Sequence, residues 1–150
     1  MRYAVFILFS VFLAFASTHA FAAGTESTGS SEASDIRSAR AALKNNQYAE
    51  AEGLLRKAVI DNPGSADAWN LLGYSTRKQG KLVEAEEYYG KALKLDSKHT
   101  GAMEYLGILY VKTGRLDEAR ALLARIDKAC LFSCDEYDDL KKAIETGKGD

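Results

Sequence analysis

A period of 34 residues constrains this chain more than any other feature. Ala51, Ala85 and Ala119 are separated by that interval, as are Ala39, Gly73 and Gly107, and again Leu55, Tyr89 and Leu123. A repeat of this length is a supersecondary unit that cannot bury its own apolar face, so about three or more units must stack. Each unit reads as two amphipathic helices. The pairs Asn45-Asn46, Gln79-Gly80 and Thr113-Gly114 break the helices, because Asn and Gly accept the positive φ of a helix C-terminus. The small residues Gly73 and Gly107 on the first helix, and Ala51, Ala85 and Ala119 on the second, allow the helices of a unit to approach closely. Trp69, Leu72, Tyr89 and Leu106 fill the remaining space.

The best-formed copy is Ala66–His99. Its Trp69, Leu72, Gly73, Ala85, Tyr89 and Ala92 stand where the tetratricopeptide (TPR) motif wants a large residue, Leu-Gly, a mid-repeat Ala, an aromatic and a further Ala, and the stretch resembles that repeat. Thr76 departs from the usual aromatic and Ser97 from the usual Pro. The copy from residue 100 to 131 carries Met103, Leu106, Gly107, Tyr110, Ala119, Leu123 and Ile126. The first copy, about residues 32–65, keeps Ala51, Leu55, Ala58 and Pro63, but Asp35 and Ser38 replace bulky residues at its front. The resemblance implies an all-α fold: a right-handed superhelical stack of three TPR helix pairs plus a C-terminal capping helix, spanning residues 35–146, with 147–150 as a tail. For function it implies only a platform for partners.

Ahead of the repeats, Met1-Arg2 is followed by the apolar run Tyr3–Ala16 and an Ala20-x-Ala22 exit. That is the pattern of a secretory signal peptide, residues 1–22, cleaved after Ala22. The run is shorter than the roughly 20 residues a spanning helix needs, and no later stretch could span a membrane. A periplasmic or secreted protein follows. Residues 23–34 are small and polar and read as a flexible leader. Losing Arg2 leaves 19 basic residues against 21 acidic ones, a balance that gives no support to nucleic-acid binding.

Nothing in the chain points to catalysis. No Ser, His and Asp share a local signature, no glycine loop is shaped for phosphate, and no cofactor or resident metal ion is implied. The one histidine beyond the signal peptide, His99, falls in a turn between helices and is expected to be solvated. The expected function is therefore binding of a protein or extended peptide.

In the TPR family the first helix of each unit lines a concave groove. Carrying that register over, the groove candidates are Arg40, Leu43 and Lys44, then Asn70, Tyr74, Arg77 and Lys78, then Glu104, Ile108, Val111 and Lys112. Lys44, Lys78 and Lys112 share the 34-residue interval, so stacking would align them in one row that attracts an acidic peptide. The alternative is an ordinary solvated surface. Chaperone-binding members of the family use a clamp of Lys, Asn and Arg. The matching positions here hold Ile36, Arg40, Leu71, Gly101 and Tyr105, so that clamp is missing.

Both mature cysteines fall in Cys130-Leu131-Phe132-Ser133-Cys134. In an exported protein a disulfide is the default. Residues four apart on an unbroken helix have Cβ atoms about 5–6 Å apart, farther than the roughly 3.5–4.5 Å of a disulfide. The helix should therefore break between them. Ser133-x-x-Glu136 offers a capping box for a new helix at about 134–146, with Tyr137, Leu140 and Ile144 as its apolar stripe. The other class of reading is a thiol-based protein, copper-handling or redox-active, because two thiolates suit Cu(I).

Overall fold

The computed structural model describes residues 28–130 and 134–149. The expected signal peptide and the start of the leader lie outside these residues. Among the described residues seven helices follow one another: α1 (Thr28–Lys44), α2 (Tyr48–Asp61), α3 (Ala66–Lys78), α4 (Leu82–Leu95), α5 (Thr100–Lys112), α6 (Leu116–Ala129) and α7 (Asp135–Thr146). They pack as three pairs, α1/α2, α3/α4 and α5/α6, with α7 closing the stack against both α5 and α6.

Local chemistry sets the boundaries. Asn46, Gly80 and Gly114 take φ of 56°, 81° and 77° at the ends of α1, α3 and α5, where the breakers were expected. Ser65 caps α3 by accepting from the Ala68 N–H at 3.3 Å. Asp67 in the first turn of α3 and Arg77 and Lys78 in its last turn complement the helix dipole. His99 is not solvated as expected. It is the N-cap of α5, with Nδ1 accepting from the Ala102 N–H at 3.2 Å and Nε2 3.0 Å from Asp67 Oδ1. The helix start consumes one ring nitrogen and the neighbouring unit's carboxylate holds the other.

Two boundaries differ from expectation. α1 begins at Thr28, inside the stretch read as flexible leader. Once the segment around Ile36 and Ala39 is anchored, each residue added ahead of it gains a hydrogen bond without a new nucleation cost. At the other end, the N-cap of α7 is Cys134 and no side chain caps it. Ser133 lies outside the described residues, and Glu136 accepts instead from Thr100 Oγ1 at 3.1 Å. Asp135, Glu136 and Asp138 still favour this helix start through the dipole.

The close approaches are where small residues were expected, but one has another partner. A Cβ on Gly73 would stand 2.7 Å from the ring of Tyr89, the fully buried aromatic of the same unit. A Cβ on Gly107 would stand 2.6 Å from both Leu140 δ-carbons. At Gly107 the nearest approach is therefore by α7. The physical reason lies in α7, which takes the place of a further first helix. Its Tyr137 and Leu140 follow Met103 and Leu106 at the same interval, and Lys141 then stands where Gly73 and Gly107 stood.

A charged tie also repeats. Glu52 on α2, 7% exposed, accepts from Gln79 Nε2 at 2.7 Å, Lys81 Nζ at 2.8 Å and Arg56 Nε at 2.9 Å. Burial alone would raise its carboxyl, but the hydrogen bonds from Lys81, Arg56 and Gln79 together outweigh it and hold it at about 2. Glu86 repeats the tie on α4, taking both oxygens to Arg115 Nη1 at 2.8 and 2.9 Å and accepting from the Tyr110 hydroxyl at 3.2 Å. The series ends at Arg120, of opposite charge, which pairs within α6 to Asp117 at 3.0 Å.

Candidate binding groove

The first helices α1, α3 and α5, with α7 beside them, line one face. Two hollows lie along it and share Tyr74 and Tyr105. These two rings are 4.9 Å apart and tilted by 48°. Tyr48 and Tyr89 continue the aromatic series at 6.4 Å from Tyr74 and 6.2 Å from Tyr105. The smaller hollow, about 430 Å³, is completed by Arg40, Leu43, Lys44 and Leu71. The larger, about 790 Å³, lies between α3, α5 and α7, where Arg77, Glu104 and Ile108 face Asp139, Lys142, Ala143 and Thr146, with Lys148 beyond.

The cations are not equivalent. Arg77 is only 2% exposed, and its guanidinium lies 5.5 and 5.7 Å from the centres of Tyr74 and Tyr105. It forms part of the groove floor, where a desolvated cation–π contact is worth about 2 kcal/mol. It is a groove residue, as expected, but one held in the floor and not at the surface. Lys78 is half-buried, with Nζ 5.8 Å from the Tyr48 ring and 5.9 Å from the Tyr74 ring. Lys44 is exposed at the smaller hollow, while Lys112 is exposed and lines neither hollow. Arg40 lines the smaller hollow and pairs with Asp67 at 2.8 Å. Through Asp67 it connects to His99, so one carboxylate links three successive first helices.

Of the other groove candidates, Tyr74, Glu104 and Ile108 line the larger hollow. Asn70 is buried between α3 and the start of α5, and its Oδ1 has no hydrogen-bond partner among the described residues. Leu71 and Tyr105, named from the sequence only as positions where the clamp residues are missing, also line the hollows, and the α7 wall was missed. The signal was available: Asp139 and Lys142 follow Tyr105 and Ile108 by one more interval of 34.

Cys130 and Cys134 are joined, with Cα atoms 6.2 Å apart, and the helix breaks between α6 and α7. The bridge fixes the start of the helix that supplies the far wall of the larger hollow. Among the described residues, no group of three or more His, Cys, Asp or Glu is placed to hold a metal ion. None of the described helices is long and apolar enough to cross a membrane. An aromatic shelf with apolar contacts and flanking charges is equipped to hold an extended chain by side-chain contact.

Comparison with known proteins agrees with the fold. Residues 36–100 and 77–144 each match a tetratricopeptide repeat family. Cellulose synthase operon protein C of Xanthomonas axonopodis pv. citri (strain 306) is 35% identical over 94 residues, 63% of this chain but 6% of that protein's length. The type III secretion translocator chaperone SycD of Yersinia enterocolitica superposes with a TM-score of 0.72 at 13% identity, covering 79% of this chain and 84% of that one. The first TPR of Spaghetti (RPAP3), solved with an HSP90 peptide, gives 0.70 at 18% identity over 78% and 92% of the two chains.

Proposed function

Because this chain belongs to the tetratricopeptide repeat family, we propose that it is an exported, non-catalytic scaffold that holds a protein or extended peptide along the face formed by α1, α3, α5 and α7. The observation that carries this reading is the Tyr74–Tyr105 shelf over the buried Arg77. Lys44 and Lys78 beside the shelf favour a partner presenting acidic side chains, and Leu43, Leu71 and Ile108 supply the apolar contact that charge alone cannot. That the Spaghetti domain was solved with a peptide supports the mode of binding. It does not extend to the same ligand, because Ile36, Leu71, Gly101 and Tyr105 stand where the chaperone clamp needs polar and cationic groups. Export follows from the apolar Tyr3–Ala16 run and its Ala20-x-Ala22 exit.

Both cysteines are committed to the bridge, so in this reading they hold α7 in place. Stoichiometric Cu(I) uptake by the mature chain, lost on replacing both cysteines, would transfer the function to the thiols. The groove itself is tested by placing a photoreactive amino acid at Tyr105, on the shelf, or at Val83, which is 76% exposed on α4. The shelf position should capture a discrete partner in the export compartment, and the purified partner should rebind the mature chain. Equal capture from Val83 would move the interface elsewhere. Intact mass should show the mature chain starting at Ala23.

A further inference from the structure

The chain itself covers one edge of the larger hollow. At the end of α7, Gly147 takes a left-handed conformation with φ 66° and ψ 11°. This turns the backbone so that Gly149 comes to lie on α5. A Cβ on Gly149 would stand 2.6 Å from Ile108 Cγ2 and 3.0 Å from the Ile108 carbonyl oxygen. Between the two glycines, Lys148 joins the lining of the hollow. Ile108 beneath it is only 6% exposed. It is also the residue through which the far half of the groove would offer apolar contact.

Two features show a fit between segment and groove. The left-handed turn at 147 suits glycine, because a side chain there is strained. The contact at 149 admits only glycine, because Ile108 is β-branched and stiff and its carbonyl belongs to a helix backbone. Both conditions are met within three residues of chain.

We propose that Gly147–Gly149 is a built-in occupant of the groove between α5 and α7, which an extended segment of a partner must displace, the displacing segment carrying a glycine over Ile108. This rests on the groove reading above and adds to it what stands in the groove beforehand. A tethered segment competes at an effective concentration of order millimolar. The apparent affinity of any incoming segment falls by the fraction of time the groove is open.

The test reads Ile108 directly and needs no partner. The mature chain is labelled at isoleucine methyl groups and compared with a chain ending at Thr146 and with Gly149→Val. Both variants should shift the Ile108 signal and leave Ile36, Ile60 and Ile126 unchanged. The synthetic tetrapeptide Gly-Lys-Gly-Asp, residues 147–150, is then added up to about 10 mM. It should return the Ile108 signal of the shortened chain toward the full-length position. The full-length chain, whose groove already holds the same segment, should show no shift over the same peptide range. An Ile108 signal unmoved in both variants would overturn the proposal, as would equal response of the two chains or no response of the shortened one. Failure here leaves partner binding on the shelf standing, and failure of partner binding leaves the Ile108 result standing.

Discussion

At the N-terminal end of the stack, α1 and α2 meet through small side chains and exposed ion pairs, whereas at the C-terminal end α7 is inserted, bridged and folded over. The N-terminal core is built on Ala39, Ala42, Ala51, Ala58 and Ala68, with Leu55, Leu71 and Leu72 among them. Its outer ties are Arg40–Asp67, with both side chains at least half exposed, and Asp35–Lys57, whose lysine is exposed while its carboxylate is only 15% so, each at 2.8 Å. Such pairs are worth about 0–1 kcal/mol each. The C-terminal core contains Tyr89, Met103, Leu106, Leu109, Leu122, Ile126 and Leu140. Burying larger side chains contributes roughly 1.5–3 kcal/mol apiece, and the Cys130–Cys134 bridge is added to that. In a stack where each unit contacts only its neighbours, stability can therefore differ along the chain. The end that α7 closes is also the end with the larger hollow.

The comparison is broken most severely at Gly73. Gly73→Leu drives a side chain into the Tyr89 ring at the centre of the stack and should cost about 3 kcal/mol or more, visible as a fall in the melting temperature of the whole domain. Gly107→Leu meets the flexible end of Leu140 instead, and should cost about 1–3 kcal/mol. It should loosen α7 before the rest, so the Trp69 fluorescence transition, reporting α3, should lag behind the loss of helix signal. Coincident transitions in Gly107→Leu would show that α7 is no separate element.

Glu52 has an intermediate effect. Its folded carboxyl sits at about 2 against an ordinary 4.5. The stabilisation it brings is present above about 4.5 and is lost as pH falls toward about 2, amounting to roughly 2–3 kcal/mol at neutral pH. Glu52→Gln should lower the urea midpoint at pH 7 and flatten its decline between pH 5 and 2. An unchanged midpoint at pH 7 would contradict the buried tie. The smallest effect is expected from Cys130→Ser with Cys134→Ser, about 2 kcal/mol or less for so short a loop. Hydrogen exchange should place that loss in α7 and leave α1 and α2 as they were.

The repeated features were the legible ones. The 34-residue interval carries the helix pairs and the positive-φ turns at Asn46, Gly80 and Gly114, because each recurs at a fixed offset within a unit. What escaped lies between units or past the last recognisable copy. His99 looks solvated until Asp67 of the preceding unit is placed beside it. Arg77 reads only as a groove position until Tyr74 and Tyr105 are placed over its guanidinium. Gly107 finds Leu140 because α7 continues the register under a changed sequence. The fold back at Gly147 had no periodic counterpart to announce it.

The central claim is that the partner lies on the shelf beside Lys44 and Lys78. It is tested most directly by the affinity of the purified, captured partner for the mature chain at low and high salt. Lys44→Glu with Lys78→Glu should weaken binding at least about tenfold at low salt through like-charge repulsion, and the difference should shrink as salt screens it. Lys112→Glu, outside both hollows, should bind as the unaltered chain does. A double variant that keeps its helical signal and binds at low salt as tightly as the unaltered chain would contradict the account.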